Sequence, residues 1–105
     1  MSQALPVAIP ECRLDAAALG PQISRYRRLA EHVTGIERDP GEVRVQFDED
    51  VPDGLLRHTL AVERDCCTFV GIEHEPAART LVFTVANVAQ DSRLDSLAAL
   101  LTPRQ

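Results

Sequence analysis

Residues 35–47 have the sequence GIERDPGEVRVQF, which predicts a β-hairpin. Val43, Val45 and Phe47 alternate with polar residues, as in a strand with one buried and one solvated face. The Asp-Pro-Gly sequence at 39–41 supplies turn residues between this strand and a shorter strand that precedes it. We therefore expect two antiparallel strands near the middle of the chain.

Helical and strand patterns follow one another on both sides of this hairpin. Apolar residues recur at helical spacing in some segments and alternate with polar residues in others. The predicted elements are a helix over 21–33 that follows a turn at 16–19, strands at 35–38 and 42–47, a helix from about 52 to 67, strands at 70–74 and 80–88, and a helix over 92–101 capped by Asp91. The order α-β-β-α-β-β-α predicts an α+β two-layer sandwich, in which helices cover one face of a four-stranded antiparallel sheet.

Length and composition predict a single domain over residues 1–105, because a chain of this size with 45% apolar residues can bury a real core. Residues 1–11 are expected to form an irregular or extended arm, since Pro6 and Pro10 are incompatible with a helix. A net charge of -5 and an aromatic content of 4% disfavour nucleic-acid binding, which relies on basic surfaces and stacking rings.

The sequence also predicts where the protein resides and the state of its thiols. No stretch approaches the ~18 apolar residues of a membrane span, and residues 1–6 lack the pattern of a signal peptide. We therefore expect a cytoplasmic protein without a membrane partner, in a compartment that keeps thiols reduced. The chain has 3 cysteines, an odd number that fits free thiols or metal ligands better than a disulfide framework.

The most unusual feature is the adjacent pair Cys66 and Cys67 near the end of the predicted central helix. Successive helical side chains are rotated by about 100°, so Cys66 continues an apolar row, and Cys67 falls in the neighbouring row with Glu63. Both cysteines are therefore expected on or beside the buried side. Glu63 needs a compensating partner in such a row. We expect either a salt bridge to an arginine of the first helix or a role as ligand or proton acceptor beside a thiol.

A third sulfur, from Cys12, would complete a three-thiolate site with Cys66 and Cys67. Soft sulfur ligands select Cu(I) and also zinc, and the same logic extends to Hg(II) and As(III). Zinc would need a fourth ligand, for which the candidates are His32, His58, His74 and Glu63. No organic cofactor is predicted.

Most of the chain resembles a group of small bacterial proteins that are associated with heavy-metal resistance. The resemblance is carried by Cys12 with the LDAAAL segment at 14–19, the arginine-rich first helix, the Val43/Val45/Phe47 strand, and the segment ERDCCTF at 63–69, which matches a Glu-Arg-x-Cys-Cys-x-Phe pattern. Many of the similar sequences have proline where this chain has Thr68. The resemblance implies that Cys12, Cys66 and Cys67 act together.

Three functions are compatible with these observations. The first is a cytoplasmic protein that binds a soft metal or metalloid ion through Cys12, Cys66 and Cys67, supported by Glu63, for sequestration, delivery or sensing. The second is a small enzyme with Cys67 as nucleophile or metal ligand and Glu63, or a nearby histidine, as acid/base. The negative end of the helix dipole opposes a thiolate there, which favours coordination over nucleophilic catalysis. The third is a non-catalytic interaction domain that dimerises through the open sheet face or an edge strand, in which Cys66 is core packing and Cys67 is incidental.

Overall fold

A computed structural model of the protein describes residues 16–103, so Cys12 and the predicted arm at 1–11 lie outside the described residues. The elements are α1 (Ala16–Ala30), β1 (Val33–Asp39), β2 (Glu42–Phe47), α2 (Asp53–Cys66), β3 (Gly71–Glu75), β4 (Thr80–Thr84) and α3 (Asp91–Leu101), with short 3-10 helices at Pro76–Ala78 and Val88–Gln90. The strands form one antiparallel sheet in the order β1-β2-β4-β3. The predicted α+β class and element order are confirmed.

The three helices pack on one face of the sheet, and that face is apolar. The sheet contributes the buried side chains of Val43, Val45, Phe47, Leu81 and Phe83. The helices contribute Tyr26 and Leu29 from α1, Leu56 and Leu60 from α2, and Leu94, Leu97 and Leu101 from α3. On the opposite face the strand register aligns Glu37, Arg44, Val82 and Glu73 in one row, in which the three charged residues are exposed and Val82 is buried. No helix within residues 16–103 has the length and apolar character needed to cross a bilayer.

The first helix differs from its prediction at both ends. It begins at Ala16 and continues through Pro21, so the predicted break before residue 21 is wrong. It ends at Ala30 rather than at Val33, because the chain is already turning towards the sheet. The His32 N–H donates to the Leu29 carbonyl at 2.9 Å, and Val33 is already paired with a residue of β2.

β4 is shorter than the predicted span of 80–88, because its pairing with β2 and its pairing with β3 both stop at the same residue. Thr84 pairs with Glu42 on one side and Gly71 on the other, and the ladder stops there. The predicted capping role of Asp91 is also wrong. The N-cap position of α3 is Gln90, whose side chain makes no capping hydrogen bond, and the Asp91 carboxylate instead accepts hydrogen bonds from Arg38 at 2.7 Å and from the Gly41 N–H at 2.8 Å.

Candidate metal centre

The C-terminal half of α2 places Glu63, Cys66 and Cys67 towards the interior. Spacings of three and four residues put their side chains on one side of a helix, and they are 0%, 3% and 0% exposed, respectively. The intervening residues Arg64 and Asp65 are exposed. The helix ends at Cys66, but the Cys67 N–H still donates to the Glu63 carbonyl at 2.8 Å. This bond keeps the second cysteine on the inner side, as predicted.

The two sulfurs and the carboxylate form a compact group. The Sγ atoms of Cys66 and Cys67 are 3.4 Å apart, and the Cys66 Sγ lies 3.7 Å from the Glu63 carbonyl oxygen. A carboxylate oxygen of Glu63 and both sulfurs lie within 4.8 Å of one another. This spacing is within reach of a single metal ion.

Cys67 is disulfide-bonded in this structure. The 3.4 Å between its Sγ and that of Cys66 far exceeds an S–S bond of about 2.05 Å, so the partner sulfur is not that of Cys66. The expectation of reduced thiols is therefore not met at Cys67. An ion can use this sulfur as a thiolate only after the disulfide is reduced.

Glu63 is held by two side chains from the neighbouring helices. The Tyr26 hydroxyl of α1 donates to Glu63 Oε1 at 2.8 Å. Arg93 of α3 donates from Nη2 to Oε1 at 3.0 Å and to Oε2 at 2.9 Å. The predicted salt bridge therefore exists, but its arginine comes from the last helix and not from the first. The bridge is buried, with the Glu63 side chain 0% exposed and that of Arg93 10% exposed.

The buried environment raises the pKa values of two groups at this site, the Cys66 thiol and the Tyr26 hydroxyl. Burial, reinforced by the negative charge of Glu63 and partly opposed by Arg93, raises the pKa of the Cys66 thiol to about 11. Burial and the Glu63 carboxylate likewise raise the pKa of Tyr26 well above its usual value. Cys66 is therefore a protonated thiol at neutral pH, and Tyr26 remains a hydrogen-bond donor.

Sequence reasoning missed the roles of Arg93 and Tyr26. Arg93 lies four residues before Leu97 and eight before Leu101, so it continues the inward stripe of α3. A charged residue in such a stripe signals a buried partner. Tyr26 lies at helical spacing with the apolar residues Ile23 and Ala30, and a buried hydroxyl also needs a partner. The Arg93 Nε is buried and has no hydrogen-bond partner among the residues that the structure describes.

The three histidines lie apart from the cysteines. His32 Nδ1 contacts Asp48 Oδ1 at 3.1 Å, His58 is exposed on α2, and His74 lines a cleft together with Arg79. Within the described part of the chain, the group of potential ligand atoms around the cysteines contains no histidine. Of the predicted candidates for a fourth zinc ligand, the structure brings only Glu63 to the cysteines.

Comparisons of the chain with protein-family models, with curated proteins and with solved structures found no match. The resemblance of the segment at 63–69 to proteins of heavy-metal resistance therefore stays an expectation. The function has to be inferred from the chemistry of the site itself.

Proposed function

We propose that the reduced protein binds a soft metal or metalloid ion through the sulfurs of Cys66 and Cys67, with Cys12 as the third sulfur donor. The observation that carries this proposal is the group formed by Glu63, Cys66 and Cys67, whose ligand atoms lie within 4.8 Å of one another. Sulfur donors select soft ions over hard ones. Sequestration, delivery or sensing of the ion in the cytoplasm would be the biological role.

The surroundings support coordination more than catalysis. Glu63 accepts three hydrogen bonds from Tyr26 and Arg93, so the carboxylate has little capacity left to act as a general base. The high pKa of the Cys66 thiol, caused mainly by burial, makes it a weak nucleophile at neutral pH. A thiophilic ion can displace the proton, because a bound cation stabilises the deprotonated sulfur.

The third hypothesis, a dimer through the open sheet face or an edge strand, gains no specific support. On that face the exposed charged residues Glu37, Arg44 and Glu73 flank Val82, which is itself buried. Val88 is the exposed large hydrophobic residue in the described part of the chain, and it lies in the short 3-10 helix before α3. A stable interface would need a larger apolar patch.

Native mass spectrometry of the fully reduced protein tests the proposal. The wild type is titrated with Hg(II), As(III), Cu(I) and Zn(II), beside Cys12→Ser, Cys66→Ser and Cys67→Ser. Thr68→Ala changes an exposed residue next to the pair and serves as the matched control. We expect one bound ion per chain in the wild type and control, and loss of tight binding in each cysteine variant.

The oxidised protein provides a second comparison, because Cys67 is then held in its disulfide. We expect tight binding to appear only after reduction. Retention of wild-type affinity in both Cys66→Ser and Cys67→Ser would refute the proposal.

A further inference from the structure

A cleft of about 230 Å³ lies beside the N-terminal end of α2, away from the cysteines. Its apolar wall includes Phe47 at the end of β2 and Leu56 of α2, which are 3% and 2% exposed. Leu56 and Cys66 are ten positions apart on the same helix, which corresponds to about 15 Å along its axis. The cleft is therefore a separate site from the candidate metal centre.

Three polar side chains that line this cleft take little part in holding the fold together. Glu49 precedes α2, His74 belongs to β3, and Arg79 lies in the connection between β3 and β4. Within residues 16–103, the side chains of Glu49 and His74 form no hydrogen bond or ion pair. The Arg79 side chain makes one long hydrogen bond, from Nε to the Phe47 carbonyl oxygen at 3.4 Å. An apolar cavity with a few convergent polar groups is the usual form of a small-molecule site.

The backbone of Arg79 adopts a conformation that is unfavourable for an arginine. Its φ is 52° and its ψ is 41°, and among residues 16–103 it is the one non-glycine residue with a positive φ. Glycine takes up this left-handed conformation without steric cost. The turn is fixed to β2, because the Phe47 N–H donates to the Arg79 carbonyl at 3.0 Å. Strain of this kind is concentrated at ligand-binding sites, and here it accompanies a guanidinium at the cleft.

The charges around the cleft restrict the kind of ligand. Asp53 also lines the cleft, but its carboxylate already pairs with Arg57 at 2.9 Å. The Glu49 carboxylate and the Arg79 guanidinium remain as opposite charges in one cavity. A guanidinium binds a carboxylate through two parallel N–H donors, and a carboxylate binds an ammonium group. A ligand that satisfies both side chains therefore carries one negative and one positive group.

We propose that this cleft binds a small zwitterion of the amino-acid class with an apolar side chain. The ligand carboxylate contacts Arg79, its ammonium group contacts Glu49, and its side chain packs on the wall that includes Phe47 and Leu56. His74 lines the same space and offers a ring nitrogen as a further hydrogen-bond partner. The cleft is smaller than the pockets of about 300–1,000 Å³ that hold drug-sized ligands, which limits the ligand to a smaller molecule.

An NMR titration of the full-length protein, followed through its amide chemical shifts, tests this inference with L-leucine as the probe. 4-Methylpentanoate is leucine without the ammonium group, and 3-methylbutylamine is leucine without the carboxylate. We expect leucine to bind with a Kd of about 0.1–1 mM, with shift changes in residues 47–56 and 74–79. Each singly charged analogue should bind at least about tenfold more weakly, because one charged side chain of the cleft then lacks its partner.

Arg79→Gly separates a ligand-binding role of the arginine from a structural one. The variant should be at least as stable as the wild type in urea, since relief of the backbone strain offsets the greater freedom of glycine in the unfolded chain. It should nevertheless lose at least about tenfold in leucine affinity. Glu49→Gln should abolish the preference for leucine over 4-methylpentanoate. Arg27→Gln and Glu73→Gln, which change exposed residues on α1 and on the opposite sheet face, are the matched controls and should bind like the wild type.

The titrations also define the results that would overturn the inference. Equal affinity for leucine and 4-methylpentanoate would show that the site does not select a zwitterion. Unchanged leucine binding in Arg79→Gly would show that the guanidinium is not part of the site. The same conclusion against the cleft would follow if leucine gave no saturable shift changes up to about 10 mM. Each of these results is independent of the metal titrations, which depend on the cysteines.

Discussion

Two arginines, Arg93 and Arg38, form ion pairs between α3 and the rest of the molecule, and these pairs differ in exposure. Arg93 binds Glu63 of α2 at 2.9 Å, with side chains 10% and 0% exposed. Asp91, at the start of the same helix, binds Arg38 of β1 at 2.7 Å, with side chains 31% and 23% exposed. The two pairs are similar in length and differ mainly in their access to water.

This difference determines what each pair contributes. Water can solvate Arg38 or Asp91 if its partner is lost, so that pair mainly positions the helix against the hairpin. Neither Glu63 nor Arg93 can be solvated in the same way, so each needs the other. The buried pair therefore also controls the net charge beside the cysteines.

The largest predicted effect comes from breaking the buried pair. Arg93→Ala leaves the Glu63 carboxylate buried without its counterion, which should lower the free energy of unfolding by about 3–5 kcal/mol. Urea unfolding at neutral pH, followed by circular dichroism, measures the change. The double variant Glu63→Gln/Arg93→Met should recover most of the loss, since it leaves no buried charge. A loss below about 1 kcal/mol would mean that the pair behaves like a solvated surface bridge.

A smaller effect is expected for Tyr26, whose hydroxyl also contacts the buried Glu63 carboxylate. Tyr26→Phe keeps the ring but removes the hydroxyl that donates to Glu63 at 2.8 Å. Loss of a hydrogen bond to a charged group should cost about 1.5–3 kcal/mol, measured by the same urea unfolding. An unchanged unfolding midpoint would show that this hydroxyl does not stabilise the carboxylate.

The exposed pair should show the smallest effect, with a distinctive dependence on pH. Hydrogen bonds from Arg38 and from the Gly41 N–H lower the pKa of Asp91. Its stabilising contribution is therefore present above the unfolded pKa of about 3.9 and is lost as the pH falls through the lower folded pKa. Asp91→Ala should destabilise the protein slightly at neutral pH, and wild type and variant should converge in strong acid.

Urea unfolding of both proteins at neutral and acidic pH measures this convergence. Asp95→Ala is the matched control, because Asp95 also contacts Arg38, at 3.1 Å, but is 71% exposed. We expect a still smaller change in the control. A difference between wild type and Asp91→Ala that persists undiminished in acid would contradict the assignment.

The elements predicted best are those whose signal is local. β2 has the bounds predicted from the alternation of Val43, Val45 and Phe47 with polar residues, because alternation directly reflects one buried face. The central helix was predicted within one residue at each end. β4 was predicted too long, because its end at Thr84 depends on where its neighbours end.

In the candidate site, too, the features with a local sequence signal were predicted and the long-range contacts were not. Helical periodicity placed Cys66, Cys67 and Glu63 on the buried side of α2, since side-chain direction repeats regularly along a helix. The periodicity could not identify Arg93 as the partner of Glu63, because the two residues lie 30 positions apart and meet only when α3 packs beside α2. The disulfide state of Cys67 was not predictable from a cysteine count either.

The α+β class, the order of the elements and the inward direction of the two cysteines can all be predicted from the order of residues along the chain. These properties follow from hydrophobic periodicity, which is a local feature of the sequence. The partners of the buried carboxylate depend on how the helices pack, which brings Arg93 and the Tyr26 hydroxyl to Glu63 beside the sulfurs. A buried charge needs a compensating partner, and that partner is the side chain that helix packing places next to it. The identity of the partner therefore depends on the distances between helices rather than on a local sequence pattern.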